Sequence, residues 1–308
     1  MKFNMSIIQM IERKISDSSF DEIPIIVISG PTGIGKSNLA ISLAEKINGV
    51  IINADSMQIY KELKIISSQP SDEDKKNIPH ELYSIRPIYQ SFSVMDWLEL
   101  VEKKIYQIFD KNKVPILVGG TGLYIKSAIN GISKLPKVDK EIFDNCLKLF
   151  EKIGIIEFKK LVQKIDENFI KKNIDKQRLI RAYSIYLQTG KAISEWYESS
   201  EINKVYNTFF SILLEQEREK NYQNCENRFD EFIYKGAVEE VKYLKEKKFD
   251  RSFPGFKCLG VNWILKYLDK EISLNDAIVL SKRDTRRYVK RQLTWFRHNF
   301  NPDLVLRI

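Results

Sequence analysis

Eight residues, Gly30-Pro31-Thr32-Gly33-Ile34-Gly35-Lys36-Ser37, constrain the fold of this chain more than any other segment. They follow Ile25-Ile26-Val27-Ile28, an apolar run with no polar interruption, as a strand covered on both faces of a parallel sheet requires. They precede Leu39, Ala40, Leu43 and Ile47, spaced as one helix face that stops at Gly49. Strand, glycine-rich turn and helix fit G-x-x-x-x-G-K-[ST], in which bare backbone N–H groups and a helix N-terminus wrap a phosphate. Lys36 adds a point charge, and Ser37 a hydroxyl for phosphate or Mg²⁺. The pattern specifies a phosphate rather than a nucleotide.

Two later strands end in comparable loops. Val50-Ile51-Ile52 leads to Asp55-Ser56-Met57-Gln58, and Val114–Val118 to Gly119-Gly120-Thr121-Gly122. In an open parallel sheet such loops gather on one edge, where ligands bind. Asp55 reads as a helix N-cap, as a Mg²⁺ ligand or as a general base. Thr121 reads as part of a tight turn or as a ligand contact, and three glycines around one hydroxyl favour the close approach of a ligand. After Leu135-Pro136 the chain becomes Lys-rich with helical spacing. We therefore expect a helical insertion over 137–200 within an α/β core of 23–136 and 201–308. Residues 1–22 read as an amphipathic leader outside that core, without the basic region of a signal peptide. Helix continues through 218–247, with Phe229, Phe232, Ile233, Val241 and Leu244 as its stripe, and a last helix spans about 275–299.

Composition excludes several classes. Aromatic residues at 11% with abundant Ile and Leu supply a core, so disorder is excluded. No apolar run reaches the roughly 18–20 residues needed to cross a bilayer. Three Cys without a C-x-x-C and two His exclude a disulfide framework and a zinc site, and point to the cytoplasm. The net charge of +9 is uneven. Residues 281–300 carry Lys282, Arg283, Arg286, Arg287, Lys290, Arg291 and Arg297 against Asp284 alone, two thirds of the whole excess. A clustered excess of this kind points to a polyanionic partner. Trp295, on the same helix, reads as a packing residue.

Taken together, the stretches GPTGIGKS (30–37), DSMQIY (55–60), PH (79–80), PILVGGTGLYIKS (115–127), QRLIRAYSIYLQTGK (177–191) and TRRYVKRQLTWFRHN (285–299) resemble the tRNA dimethylallyltransferases, in order along the chain. The likeness is to bacterial members, since no zinc-finger Cys/His pattern appears. It implies a phosphate-loop NTPase-like parallel sheet core with an inserted all-helical domain. It further implies transfer of a dimethylallyl group from dimethylallyl diphosphate, with Mg²⁺, to the N6 amino group of the adenosine 3′ of the anticodon; we expect a monomer, although the sequence itself does not name the oligomeric state. Carried over by residue, Gly30, Pro31, Thr32, Gly33, Ile34, Gly35, Lys36 and Ser37 hold the diphosphate, with Ser37 at the metal. Asp55 is the base facing the amino group, and Thr121 hydrogen-bonds at the scissile oxygen. Asp55, Ser56, Met57, Gln58 and Thr121 also line the RNA pocket. Gln177, Arg178, Leu179, Ile180 and Arg181, with Lys290, Arg291, Gln292 and Arg297, touch tRNA.

The chemistry suits those roles. Adenine's exocyclic nitrogen becomes acidic only as it bonds carbon, so a carboxylate can take its proton late. The leaving diphosphate gains charge that N–H groups, Lys36, Mg²⁺ and Thr121 can stabilise. A stacked base is out of reach, which implies flipping into a channel. The chain departs from the family pattern at Ile66-Ser67-Ser68-Gln69-Pro70, at Phe143 (an Arg in many relatives) and at Gly260-Val261-Asn262. Competing readings are an ATP-binding small-molecule kinase or ATPase, a prenyltransferase for free adenine nucleotides, and a non-catalytic RNA-binding relative. The first leaves the basic cluster unexplained and the second has no need of it.

Overall fold

Met5–Asp17 form an amphipathic helix, α1, whose Ile8 and Ile11 are buried in the same cluster as Ile26, Ile28 and Leu39. The segment read as a leader outside the core is therefore part of it, because its apolar stripe finds burial against the sheet. The computed structural model describes residues 5–17, 23–171, 174–200 and 202–308, so residues 1–4 and 18–22 of that leader lie outside the described residues. Contacts divide the chain into Met1–Ile129 with Val205–Ile308, and Asn130–Lys204. The second unit is wider than the expected 137–200 because Ile132 and Ser133 pair antiparallel with Asn203 and Ile202.

In the first unit β1 (Ile25–Ser29) runs through the phosphate loop into α2 (Lys36–Ile47). That helix is stopped by Asn48 in the left-handed region, φ 53°, while Gly49 already opens β2 (Gly49–Asn53). Next come α3 (Asp72–Asn77), β3 (His80–Glu81), α4 (Val94–Phe109), β4 (Val114–Gly119) and α5 (Gly122–Asn130). α3 and α4 each start at a Ser whose hydroxyl accepts from an Asp N–H three residues on, a signature legible in the sequence.

The helical unit holds β5 (Ile132–Ser133), α6 (Lys140–Ile165), α7 (Glu167–Ile170), α8 (Lys176–Thr189), α9 (Ile193–Ser199) and β6 (Ile202–Asn203). Its core includes Phe150, Phe158, Val162, Leu179, Ile180 and Ile185. Asp166 is buried and accepts from the N–H groups of Phe169 and Ser194 and from the Ser194 hydroxyl.

The chain then forms β7 (Phe209–Glu215), α10 (Arg218–Tyr234), α11 (Ala237–Glu246), α12 (Val261–Leu268), α13 (Leu274–Asn299) and β8 (Leu304–Arg307). The single helix expected over 218–247 is two, α10 and α11, because Gly236 takes φ 97°. The stripe it carries still enters one cluster with Ile59, Tyr60 and Val261. The six-stranded sheet is parallel throughout, in the order β3-β2-β4-β1-β7-β8. Four neighbouring strands, β2, β4, β1 and β7, thus deliver Asp55, the 119–122 turn, the phosphate loop and α10 to one edge. No helix of the described residues is long and apolar enough to cross a membrane.

Candidate active site

A cleft of about 550 Å³ opens at that edge, lined among others by Gly33, Gly35, Lys36, Ser37, Asp55 and Arg228. A smaller pocket of about 270 Å³ adjoins it, bounded by Met57, Ile66, Phe229, Phe232, Leu259 and Tyr288. Thr32, Asp55, Ser67 and Arg228 border both, so the carboxylate and the guanidinium stand in the wall where a polar space meets a more apolar one.

Asp55 is set by an Asx turn rather than by a helix. Its Oδ1 accepts from the Met57 N–H at 2.9 Å, and its own N–H donates to Asn53 Oδ1 at 2.8 Å. No helix begins here, which removes the N-cap reading. Thr121 is tied to the same loop: its Oγ1 accepts from the Ser56 N–H at 3.0 Å and donates to Ser56 Oγ at 3.3 Å. Gln58 donates through Nε2 to the carbonyls of Ser67 and Ser68 at 3.0 and 2.8 Å. The departure at 66–70 thus serves as the wall that orients Gln58, and Gln69 itself bonds the Tyr60 carbonyl.

The glycines of the 119–122 turn answer to the chain, not to a ligand. A Cβ on Gly119 would stand 2.0 Å from the Ala54 carbonyl oxygen, one on Gly120 2.5 Å from Gln292 Nε2, and one on Gly122 2.3 Å from the Trp295 ring. Close packing explains all three, and Trp295 is the packing residue expected.

Thr32, at the crest of the phosphate loop, is held at every polar group. Its N–H donates to Gln292 Oε1 at 2.9 Å, its carbonyl accepts from Asn221 Nδ2 at 3.2 Å and Cys225 Sγ at 3.3 Å, and its hydroxyl accepts from Arg228. Lys36 Nζ donates to the Pro31 carbonyl at 2.8 Å. Burial pushes the Lys36 ammonium down to about 8; Asp55 partly opposes this and Arg228 adds to it. Burial likewise lowers Arg228, whose Nε has no hydrogen-bond partner among the described residues. Gln216 Nε2 is also a buried donor without one, its Oε1 taken by Asn224. Lys36, Arg228 and the start of α2 line one cleft, and that positive lining suits an anion.

The IPP transferase family model matches residues 58–299. A tRNA dimethylallyltransferase of Rickettsia bellii is 40% identical over 286 residues, covering 92% of this chain and 90% of the relative. The chain belongs to the IPP transferase family. The full-length tRNA isopentenylpyrophosphate transferase of Bacillus halodurans superposes with a TM-score of 0.67 at 30% identity, over 93% of this chain and 90% of that one. A eukaryotic dimethylallyltransferase acting on tRNA gives 0.78 at 28% identity, over 93% and 74%.

Arg228, Gln216, Asn221 and Cys225 of this IPP transferase went unread in the sequence. Only the β7–α10 connection brings them to the loop, and no local motif marks them. Three residues assigned to tRNA face inward instead. Leu179 and Ile180 are buried in the helical unit's core, since they lie on the apolar face of α8, which leaves Gln177, Arg178 and Arg181 exposed. Gln292 is buried too, with Oε1 and Nε2 both engaged by backbone. Phe143, the departure noted in the sequence, is partly buried against the same core as Leu179.

The basic helix is partly neutralised. Lys282 pairs with Asp230 at 2.7 Å, Arg286 with Glu226, and Arg283 and Arg287 share Asp284 at 3.2 and 3.4 Å. Lys290, Arg291 and Arg297 are exposed and in no ion pair among the described residues. Arg291 also borders the smaller pocket, 5.6 Å from the Tyr288 ring centre.

Proposed function

We propose that this enzyme transfers a dimethylallyl group from dimethylallyl diphosphate to N6 of the adenosine 3′ of the anticodon in tRNA. The observation that carries the reading is Asp55 in the shared wall of an anion cleft and a more apolar pocket. The diphosphate lies against the phosphate loop, in a cleft that Lys36 and Arg228 line with positive charge. The amino group reaches the donor carbon beside Asp55, which takes the proton as the nitrogen bonds carbon. Charge collects on the departing diphosphate, and the fixed N–H groups and cations stabilise it without having to reorganise. Thr121, released from Ser56, supplies a further hydroxyl at the scissile oxygen.

Mg²⁺ fits the donor set. Ser37 is exposed at the cleft, with Asp55 on the same cleft, and no cluster of three acidic, His or Cys groups exists among the described residues. A hard cation here would be held by the Ser37 hydroxyl together with diphosphate oxygens and water. When bound, it neutralises charge on the leaving group.

Pure protein incubated with tRNA, dimethylallyl diphosphate and Mg²⁺, but without ATP, should yield N6-(dimethylallyl)adenosine on mass spectrometry of the digested nucleosides. Product that appears only when ATP is supplied would favour a kinase-like activity instead.

RNA contact by α13 has its own test. Lys290→Gln with Arg297→Gln removes two exposed charges seven residues apart. Each lost phosphate contact shrinks the slope of log affinity against log salt by about 0.7 to 0.9, so the double variant should flatten it by about 1.4 to 1.8. The melting temperature should hardly move, because isolated surface charges contribute at most about 1 kcal/mol. An unchanged slope would make this a solvated face and shift the footprint to Gln177, Arg178 and Arg181.

A further inference from the structure

Gln292 lies on α13 between Lys290 and Arg297, yet it is 5% exposed. Its Oε1 accepts from the Thr32 N–H at 2.9 Å and its Nε2 donates to the Gly120 carbonyl at 2.8 Å. Those two backbone groups belong to loops that leave adjacent strands, β1 and β4. One loop cradles the anion, and the other carries Thr121. A carboxamide offers an acceptor and a donor side by side on one rigid plane at any pH near neutrality, so the group matches the task. Gly120 is fitted to it, since a Cβ there would come within 2.5 Å of Nε2.

We propose that Gln292 is a positioning residue for prenyl transfer: it locks the crest of the phosphate loop to the 119–122 turn, so that the diphosphate cradle and Thr121 address the same leaving oxygen. It acts through Thr32 and Gly120 and does not touch RNA. The inference rests on the proposed use of the loop as the donor cradle. A misplacement of about 1 Å at a reacting centre can cost 10²-fold in rate, so a lock that acts at a distance from the chemistry has a measurable consequence.

Gln292→Leu keeps the bulk and loses both bonds. Turnover should fall about 10- to 100-fold, and inorganic pyrophosphate, followed by calorimetry, should bind several-fold more weakly. The half-saturating tRNA concentration and the salt slope of tRNA binding should stay within two-fold. Gln292→Glu guards against a Leu variant that fails to fold, because it keeps the acceptor for Thr32. At neutral pH its carboxylate faces the Gly120 carbonyl, and turnover should drop. As pH falls the protonated carboxyl regains a donor, and turnover relative to wild type at the same pH should recover. A raised half-saturating tRNA concentration with turnover kept would overturn the inference and make Gln292 an RNA contact. Full turnover in either variant, or a Glu variant with no relative recovery in acid, would reduce it to packing. Wild-type protein that binds no pyrophosphate would instead sink the donor reading itself.

Discussion

Asp55→Asn should slow the chemical step by about 10²- to 10⁴-fold, the usual worth of a positioned base, while tRNA binding stays close to wild type. The amide is the informative replacement, because its oxygen can still accept from the Met57 N–H and so preserve the turn that sets the loop. Single-turnover rates at saturating tRNA and donor isolate the step. A rate within two-fold of wild type would leave Asp55 with no role beyond its Asx turn, and the base would have to be sought elsewhere.

Lys36→Ala should weaken pyrophosphate binding by about 10²- to 10³-fold, as truncating one partner of a buried charged pair costs roughly 2–5 kcal/mol. The wild-type affinity should also depend on pH in a particular direction. Burial holds the free ammonium down to about 8, and a bound diphosphate favours its charged form. Affinity should therefore be full below about pH 8 and decline above it, as binding must recruit a proton to Lys36. Protein stability responds in the opposite sense. The fold disfavours the charged form, so the penalty present below pH 8 fades as pH rises from 8 towards 10.5. Calorimetry from pH 7 to 9.5 on wild type and variant checks both: the decline above pH 8 should be shallower without Lys36. Equal affinities for the two proteins would exclude Lys36 from the cradle.

The parts of this enzyme legible in its sequence are those in which a local pattern and a local structure coincide. β1, the phosphate loop and α2 follow from a buried strand, a glycine turn and a helix stripe, all within 25–47. Asp55 at the sheet edge followed from its place directly after β2. What escaped depends on residues brought together from far apart. Arg228 looks like any charged position on a helix until β7 is paired beside β1, which swings α10 against Thr32. The glycines at 120 and 122 invited a ligand because the side chains filling their space, Gln292 and Trp295, lie some 170 residues later. A helical wheel could have moved Leu179, Ile180 and Gln292 inward, but their motifs drew attention to the charged neighbours. The break between α10 and α11 turned on one glycine within an otherwise continuous apolar stripe.

The brace around Thr32 has a consequence for how the molecule is made. Its partners Asn221, Arg228 and Gln292 stand 189, 196 and 260 positions along the chain from it. Closing loops of that length is slow and entropically opposed, so such contacts form late. A growing polypeptide on the ribosome can therefore carry the whole GPTGIGKS segment, strand and helix included, long before the cradle has its final shape. Competence to hold an anion should arrive only when α13 has been synthesised and docked, which couples the onset of activity to completion of the fold.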